Sequence, residues 1–293
     1  MNRVRKEIDA EYAYKRGYFG RHNTIAVLDT GIARHDDLRD QVICFKDFVQ
    51  QRNSAYDDNG HGTHIAGIIA GSGEKSNGRY MGIAPASDLI ILKVMDSFGN
   101  GKTERFIQAI DWMIRYRKKY GIRIANLSAG MIYDASDLGQ IKLLQAVEQL
   151  WEEGIIVMTA AGNNGPNKQT ITVPGMLRTV ITVGSSDDRE IKKRGGRLKA
   201  GYSSTGPTRQ CIVKPELLAP GTNIVSCAFR NNGYSYKSGT SMATPVAAGA
   251  ISLLLEKYPY LEPADVKVRL YERLKSNLFP GCWGKLNVRQ MMK

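Results

Sequence analysis

No apolar run in this 293-residue chain approaches the roughly 18 residues that a membrane-crossing helix requires, so no transmembrane helix is expected. Behind Met1 stands the charged stretch 2–11 rather than an apolar core, which argues against a secretory signal and for a cytoplasmic protein. Cysteine is scarce: Cys44, Cys211, Cys227 and Cys282 form no Cys-x-x-Cys pair. That scatter excludes a compact zinc site and a disulfide framework, and predicts four reduced thiols. Acidic side chains are in deficit, 28 against 41 Lys and Arg, a net charge of +13. The excess would suit a nucleic-acid partner, but no recognisable nucleic-acid module is present. Two basic runs, Arg189–Lys199 and Arg115–Arg123, read as solvated surface, with attraction of acidic peptides as the alternative. A hydrophobic content of 42% excludes wholesale disorder, and the lack of a Gly-X-Y period or heptad repeat excludes collagen and coiled coil.

What is present is an alternation. Thr24–Asp29, Leu89–Val94, Ile124–Leu127, Ile155–Ala160 and Thr179–Val183 read as short buried strands. Helical periods lie between and after them, near His61–Ala70, Thr103–Arg117, Leu138–Glu153, Thr240–Lys257 and Pro263–Ser276. Strands buried on both faces and separated by helices predict an α/β fold with a doubly wound, mostly parallel central sheet. No linker or internal repeat divides the chain, so a single domain is expected. In this class the chemistry belongs on the loops beyond the carboxyl ends of the strands.

Four residues stand at such places. Asp29 ends an apolar strand, where a carboxylate either faces the active rim or caps a local turn. His61 opens His61-Gly62-Thr63-His64 at a helix start; the His-x-x-His spacing lacks the glutamate and register of a zinc peptidase, and leaves open which histidine matters. Asn163 follows a strand end in a turn by composition. Ser241 lies where a loop becomes an apolar helix, either as a capping residue or as a nucleophile above the helix's positive end. Singly each signal is modest. Together they supply what hydroxyl chemistry needs: a nucleophile, a base titrating near neutrality, a carboxylate to orient the base, and a donor for an oxyanion.

The motifs Asp29-Thr30-Gly31, His61-Gly62-Thr63-His64-Ile65-Ala66-Gly67, Ala161-Gly162-Asn163 and Gly239-Thr240-Ser241-Met242-Ala243-Thr244-Pro245 resemble those of the subtilisin-like serine proteases, the subtilases. Gly82-Ile83-Ala84-Pro85, 202–207 and 214–221 support the likeness, which runs from about residue 10 to 270. The chain order Asp…His…Ser is the one for which subtilisin is the standard example. The resemblance implies a serine endopeptidase acting on peptide or protein substrates: Ser241 as nucleophile, His61 rather than His64 as base, Asp29 orienting it, and Asn163 with the Ser241 N–H binding the oxyanion. It also implies that Ser128-Ala129-Gly130 and Gly99-Asn100-Gly101 hold the substrate as an added strand. A peptide ligase using the same residues, or a non-catalytic scaffold, are the alternatives; the complete set of residues speaks against the latter.

Departures from the family pattern carry their own expectations. With 28 residues ahead of Asp29, residues 1–22 read as a short N-terminal segment without a pro-domain, and 23–293 as the peptidase domain, resembling the intracellular branch but for that branch's short apolar inhibitory peptide. The stretch that often forms a calcium loop in the family, Ser72–Arg79, contains Lys75 and Arg79, poor company for a hard cation. Asp37 stands as a possible ligand elsewhere, so a structural calcium is left open, and the chemistry itself needs no cofactor. Thr172 stands where relatives often have glycine in the wall of the specificity pocket, and Asn164 at its rim offers no carboxylate. Both predict a preference for small or medium apolar residues at the cleaved bond. Sequence does not address the oligomeric state.

Overall fold

The computed structural model describes residues 1–190, 199–276 and 281–293. The chain opens with two short helices, α1 (Asn2–Glu7) and α2 (Glu11–Tyr14). There follow β1 (Thr24–Asp29), β2 (Val42–Asp47), α3 (His61–Ala70), β3 (Asp88–Lys93), α4 (Thr103–Tyr120), β4 (Ile122–Leu127), α5 (Leu138–Glu152), β5 (Ile156–Ala160) and β6 (Ile181–Ser185). The remainder comprises β7 (Leu217–Ala219), β8 (Ile224–Cys227), β9 (Tyr234–Lys237), α6 (Thr240–Lys257), α7 (Pro263–Leu274), β10 (Gly284–Lys285) and α8 (Val288–Met292). Eight strands form one sheet in the order β10-β7-β6-β5-β4-β1-β3-β2, every pair parallel, while β8 and β9 make a separate antiparallel hairpin. The doubly wound parallel sheet expected from the alternation is what the chain forms, as a single domain.

Both faces of β1 are buried, as its uninterrupted apolar run demands. Ile25 and Val27 face a core built with α3, α6 and α7; Ala26 and Leu28 face a second core built with α4 and α5. The first core also takes in Met1, Val4, Ile8, Ala10 and Ala13 from the opening segment. Local signals end the helices where chemistry predicts: Gly121 at φ +61 stops α4, and the Asp137 carboxylate accepts the amides of Gly139 and Gln140 at the start of α5. α7 begins with Pro263 and a reciprocal Glu262–Asp265 capping box.

The motif 214–221 has a structural task. Lys214 and Glu216 are both buried and bonded at 2.7 Å, and Glu216 also accepts the Thr182 amide at 2.9 Å and Lys267 at 2.9 Å. This cluster ties β6 to the segment entering β7. The basic run Arg115–Arg123 is likewise employed: Arg117, Lys118 and Lys119 lie in the last turn of α4, where cations suit the helix dipole. Arg123 donates to the carbonyls of Pro259 and Leu261, each at 2.8 Å. Most of the other run, Arg189–Lys199, lies outside the described residues. Among the described residues no helix is long and apolar enough to cross a membrane, and no disulfide is formed.

Candidate active site

Parallel strands end at one rim, and the sheet changes its direction of winding around β1, between β3 and β4. Asp29, the last residue of β1, is fully buried there and accepts the Thr30 amide at 2.8 Å. Its carboxylate lies 2.8 and 2.9 Å from Nδ1 of His61, the first residue of α3.

The position of His61 follows from how α3 begins. The first amides of a helix have no partner inside it. Here the His61 amide donates to Asn59 Oδ1 at 3.2 Å, that of Gly62 to Thr30 Oγ1 at 2.9 Å, and that of Thr63 to Asp57 Oδ2 at 3.0 Å. Asp57 additionally accepts the amides of Asn59 and Gly60 and the hydroxyls of Thr30 and Thr63. Burial pushes the Asp57 pKa up, but the Thr63 hydroxyl and these amides outweigh it and hold the carboxyl below its usual range. The helix must approach the Asp29 turn closely: a Cβ on Gly62 would stand 2.2 Å from the Gly31 carbonyl oxygen. Behind the turn, the buried Lys93 ammonium donates to the Thr30 carbonyl, to Met95 O at 3.0 Å and to Asp58 at 2.7 Å.

His64, one turn further along α3, is fully buried, and its Nε2 donates to the carbonyls of Ile224 and Ser235 at 3.1 and 3.2 Å. Burial, helped by the charges of Lys237 and His61, pushes its pKa down to about 3. Of the two histidines in the motif, only His61 meets a carboxylate and faces the cleft.

At a second helix start, that of α6, Asn163 Oδ1 accepts the Thr240 amide at 3.0 Å and the Thr240 hydroxyl at 3.1 Å. A backbone N–H only donates, so the oxygen of this side-chain amide is committed and its NH₂ is left over as a donor. The next amide, that of Ser241, has no acceptor among the described residues. Gly239 lets these groups converge: a Cβ there would lie 3.3 Å from Asn163 Nδ2 and 3.8 Å from the Ser241 nitrogen.

His61, Asn163 and Ser241 line one cleft together with Thr30, Asn59, Phe98, Gly99, Ser128, Ala129, Gly130 and Thr172. Asn100 and Gly101 continue its wall into an apolar hollow with Phe106, Leu127 and Leu143. Among the described residues, none of Ser128, Ala129 and Gly130 has a backbone hydrogen bond to another segment. Thr172 is buried, donates to the Ala161 carbonyl at 3.2 Å, and fills the gap between the backbones at Gly130 and Gly162, at either of which a Cβ would overlap it. Asn164 lines the cleft as well. Sequence reasoning gave Thr30 no role beyond its place in the Asp29-Thr30-Gly31 motif and passed over Asn59, Lys93 and Phe98; of these three only Asn59 had a local signal, its place in the turn two residues before His61.

Asp37 lies elsewhere, buried under α3 in a cluster with His35 and Cys227 whose ligand atoms lie within 4.8 Å of one another. Its Oδ1 accepts the Lys75 amide at 2.9 Å and its Oδ2 the Tyr234 hydroxyl at 2.6 Å. His35 accepts the Asp37 amide at Nδ1 and donates to Gly233 O from Nε2. Within the cluster, His35 and Asp37 are held by these hydrogen bonds, and Cys227 is buried beside them.

His64 sets a pH dependence. Its folded pKa lies below the value near 6.5 of an unfolded chain, so on acidification the unfolded state takes up a proton that the folded state refuses. Stability contributed by neutral His64 is complete above pH 6.5 and is lost toward pH 3, by up to about 1.4 kcal/mol per pH unit. Urea unfolding across this range, compared with His64→Gln, is expected to show that extra slope only in the unsubstituted chain.

Comparison with known proteins bears on the family and the fold. The model of the subtilase family matches residues 20–280. Serine protease AprX of Bacillus subtilis (strain 168) is 42% identical over 267 residues, which is 85% of this chain and 60% of AprX, so the chain spans less than two thirds of that relative. Subtilisin DY of Bacillus licheniformis is 34% identical over 90% of this chain and 87% of its own length. Among solved structures, that of sphericase superposes with a TM-score of 0.76 at 32% identity, over 90% of this chain and 87% of that one. A family match over residues 20–280, together with relatives such as subtilisin DY matched over most of both chains, leaves one assignment: the chain belongs to the subtilase family.

Proposed function

We propose that this chain is a serine endopeptidase that cleaves peptide bonds through an acyl-enzyme formed on Ser241. The observation that carries the reading is the 2.8 Å contact between His61 Nδ1 and the buried Asp29 carboxylate, with Ser241 lining the same cleft. That contact keeps the proton on Nδ1 and leaves Nε2 as the acceptor. In this mechanism Nε2 takes the Ser241 proton as Oγ attacks the scissile carbonyl, and Asp29 stabilises the imidazolium that results. The oxyanion is received by the Asn163 NH₂ and the Ser241 N–H, both left without other acceptors among the described residues. His61 then protonates the leaving amine, and a water repeats the sequence to free the acid.

The substrate enters as an extended strand between Ser128-Ala129-Gly130 and Gly99-Asn100-Gly101, whose unpaired backbone at 128–130 offers the hydrogen bonds that an added strand requires. Thr172, standing between Gly130 and Gly162, makes the primary pocket shallow and selects small or medium apolar side chains. Four cysteines without a disulfide, one of them the buried Cys227, fit work in a reducing, cytoplasmic compartment.

Labelling by a fluorophosphonate probe tests the nucleophile: the unsubstituted chain is expected to label and Ser241→Ala not to, and labelling that persists in the variant removes the reading. Asn163→Ala is expected to lower kcat by about 10²- to 10³-fold with little change in KM. That is the loss known for the side-chain oxyanion donor of subtilisin, a member of this family, rather than a magnitude obtained from this structure. In a fluorogenic peptide series, Thr172→Gly is expected to raise kcat/KM for Phe relative to Ala before the cleaved bond by about 10- to 100-fold. An unchanged ratio, or best turnover after Arg in the unsubstituted enzyme, removes the pocket assignment.

A further inference from the structure

The loop between α3 and β3 folds back on the end of the helix that carries His61: Gly82 N donates to Gly71 O at 2.7 Å, Ile83 N to Ile68 O at 3.0 Å and Ala84 N to Ile69 O at 2.7 Å. Segments of this kind, with inward-facing carbonyls and a nearby carboxylate, are where a hard cation is held when oxygen lone pairs are free. In this chain they are engaged. Arg5 of α1 reaches across from the opening segment with its side chain nearly fully buried. Its Nη2 donates to Gly78 O at 2.9 Å and its Nη1 to Met81 O. Each Asp37 oxygen already accepts one hydrogen bond, from the Lys75 amide and from the Tyr234 hydroxyl. The buried group still unsatisfied at this junction is the Arg5 Nε–H, a donor, which repels a cation rather than binding one. The residues present therefore do not fit a calcium ion in this loop.

We propose that the Arg5 guanidinium is a built-in cation that fastens the 72–82 loop, so that the loop holds the end of α3 without a metal. A planar guanidinium satisfies two carbonyls at fixed separation, which a monovalent point charge such as lysine does less well. The arrangement joins α1 to the helix of His61: ordering the first turn of the chain and ordering the exit of α3 become one event. The apolar neighbours Met1, Val4 and Ile8, all buried in the main core, hold α1 in place for it.

The test uses the full chain carrying Ser241→Ala, so that self-digestion does not intrude, with thermal unfolding and amide hydrogen exchange as readouts. In that background, excess EDTA and millimolar calcium are expected to give the same Tm and the same exchange over 73–82. Adding Arg5→Met is expected to lower Tm by roughly 5–10 °C in either condition, since two charge-assisted hydrogen bonds are lost. It should also speed exchange within 73–82 ahead of the central strands. Arg5→Lys, the milder variant, should fall between the two and keeps the experiment readable if Arg5→Met does not fold. The proposal is overturned if calcium slows exchange in the loop of the Arg5-containing protein and Asp37→Asn abolishes that effect. Unaltered loop exchange in both Arg5 variants overturns it equally.

Discussion

The amide hydrogens in the first turn of α3 have no partners inside the helix, and in a buried helix start each must find one. Asn59, Thr30 and Asp57 provide them, one each for His61, Gly62 and Thr63. Because Thr30 belongs to the end of β1 and Asn59 and Asp57 to the preceding turn, satisfying these donors also fixes the helix against the strand. The Asp29–His61 contact is then less an independent bond than the consequence of a junction already locked. Gly62 and Gly31 permit the approach, and Lys93 supports the turn from behind.

The two helix starts around the cleft differ in how far they are capped, and the difference separates saturated amides from the proposed oxyanion donors. At α3 the amides are saturated. At α6 Asn163 saturates the first, while that of Ser241 is left open toward the cleft, next to the unused NH₂ of Asn163 itself. A capping interaction thus sets the orientation of the proposed oxyanion donor: the oxygen of the amide is spent on structure, and the nitrogen is turned to the substrate. Thr240 serves both sides of this arrangement, since its hydroxyl accepts the Gly162 amide at 3.2 Å while donating to Asn163.

How much of this the sequence discloses depends on the range of the interaction. Strands buried on both faces, such as β1, and helices with caps and periodic apolar faces, such as α3 and α6, are legible because their signals are local; His61–Ala70 and Thr240–Lys257 begin and end where the pattern says. The hairpin β8–β9, the three-residue β7 and the two-residue β10 are not legible, since strands this short take their identity from a neighbour rather than from their own period. The edge strand β2 escaped for another reason: its burial pattern is irregular and its polar Lys46 and Asp47 break the apolar run. Among the cleft residues, those in motifs were found. Lys93 was read as part of a strand, because nothing in its surroundings along the chain announces the carbonyls and carboxylate that it meets across the fold. Arg5 is the extreme case, separated by more than seventy residues from the oxygens it serves.

α6 carries Ser241 at its first turn and then runs through the middle of the molecule, against α3, β4, β5 and β6. Its eighteen residues are almost wholly buried, so the helix is seated only when those partners are already assembled and α7 is available to cover it. On a ribosome, which releases the chain from its amino end, the hydroxyl-bearing turn therefore emerges late and is the last part of the cleft to be seated. If Ser241 is the nucleophile proposed above, an unfinished polypeptide carries the imidazole and its carboxylate but not yet the hydroxyl, and would spare its own unfolded segments and other nascent chains nearby.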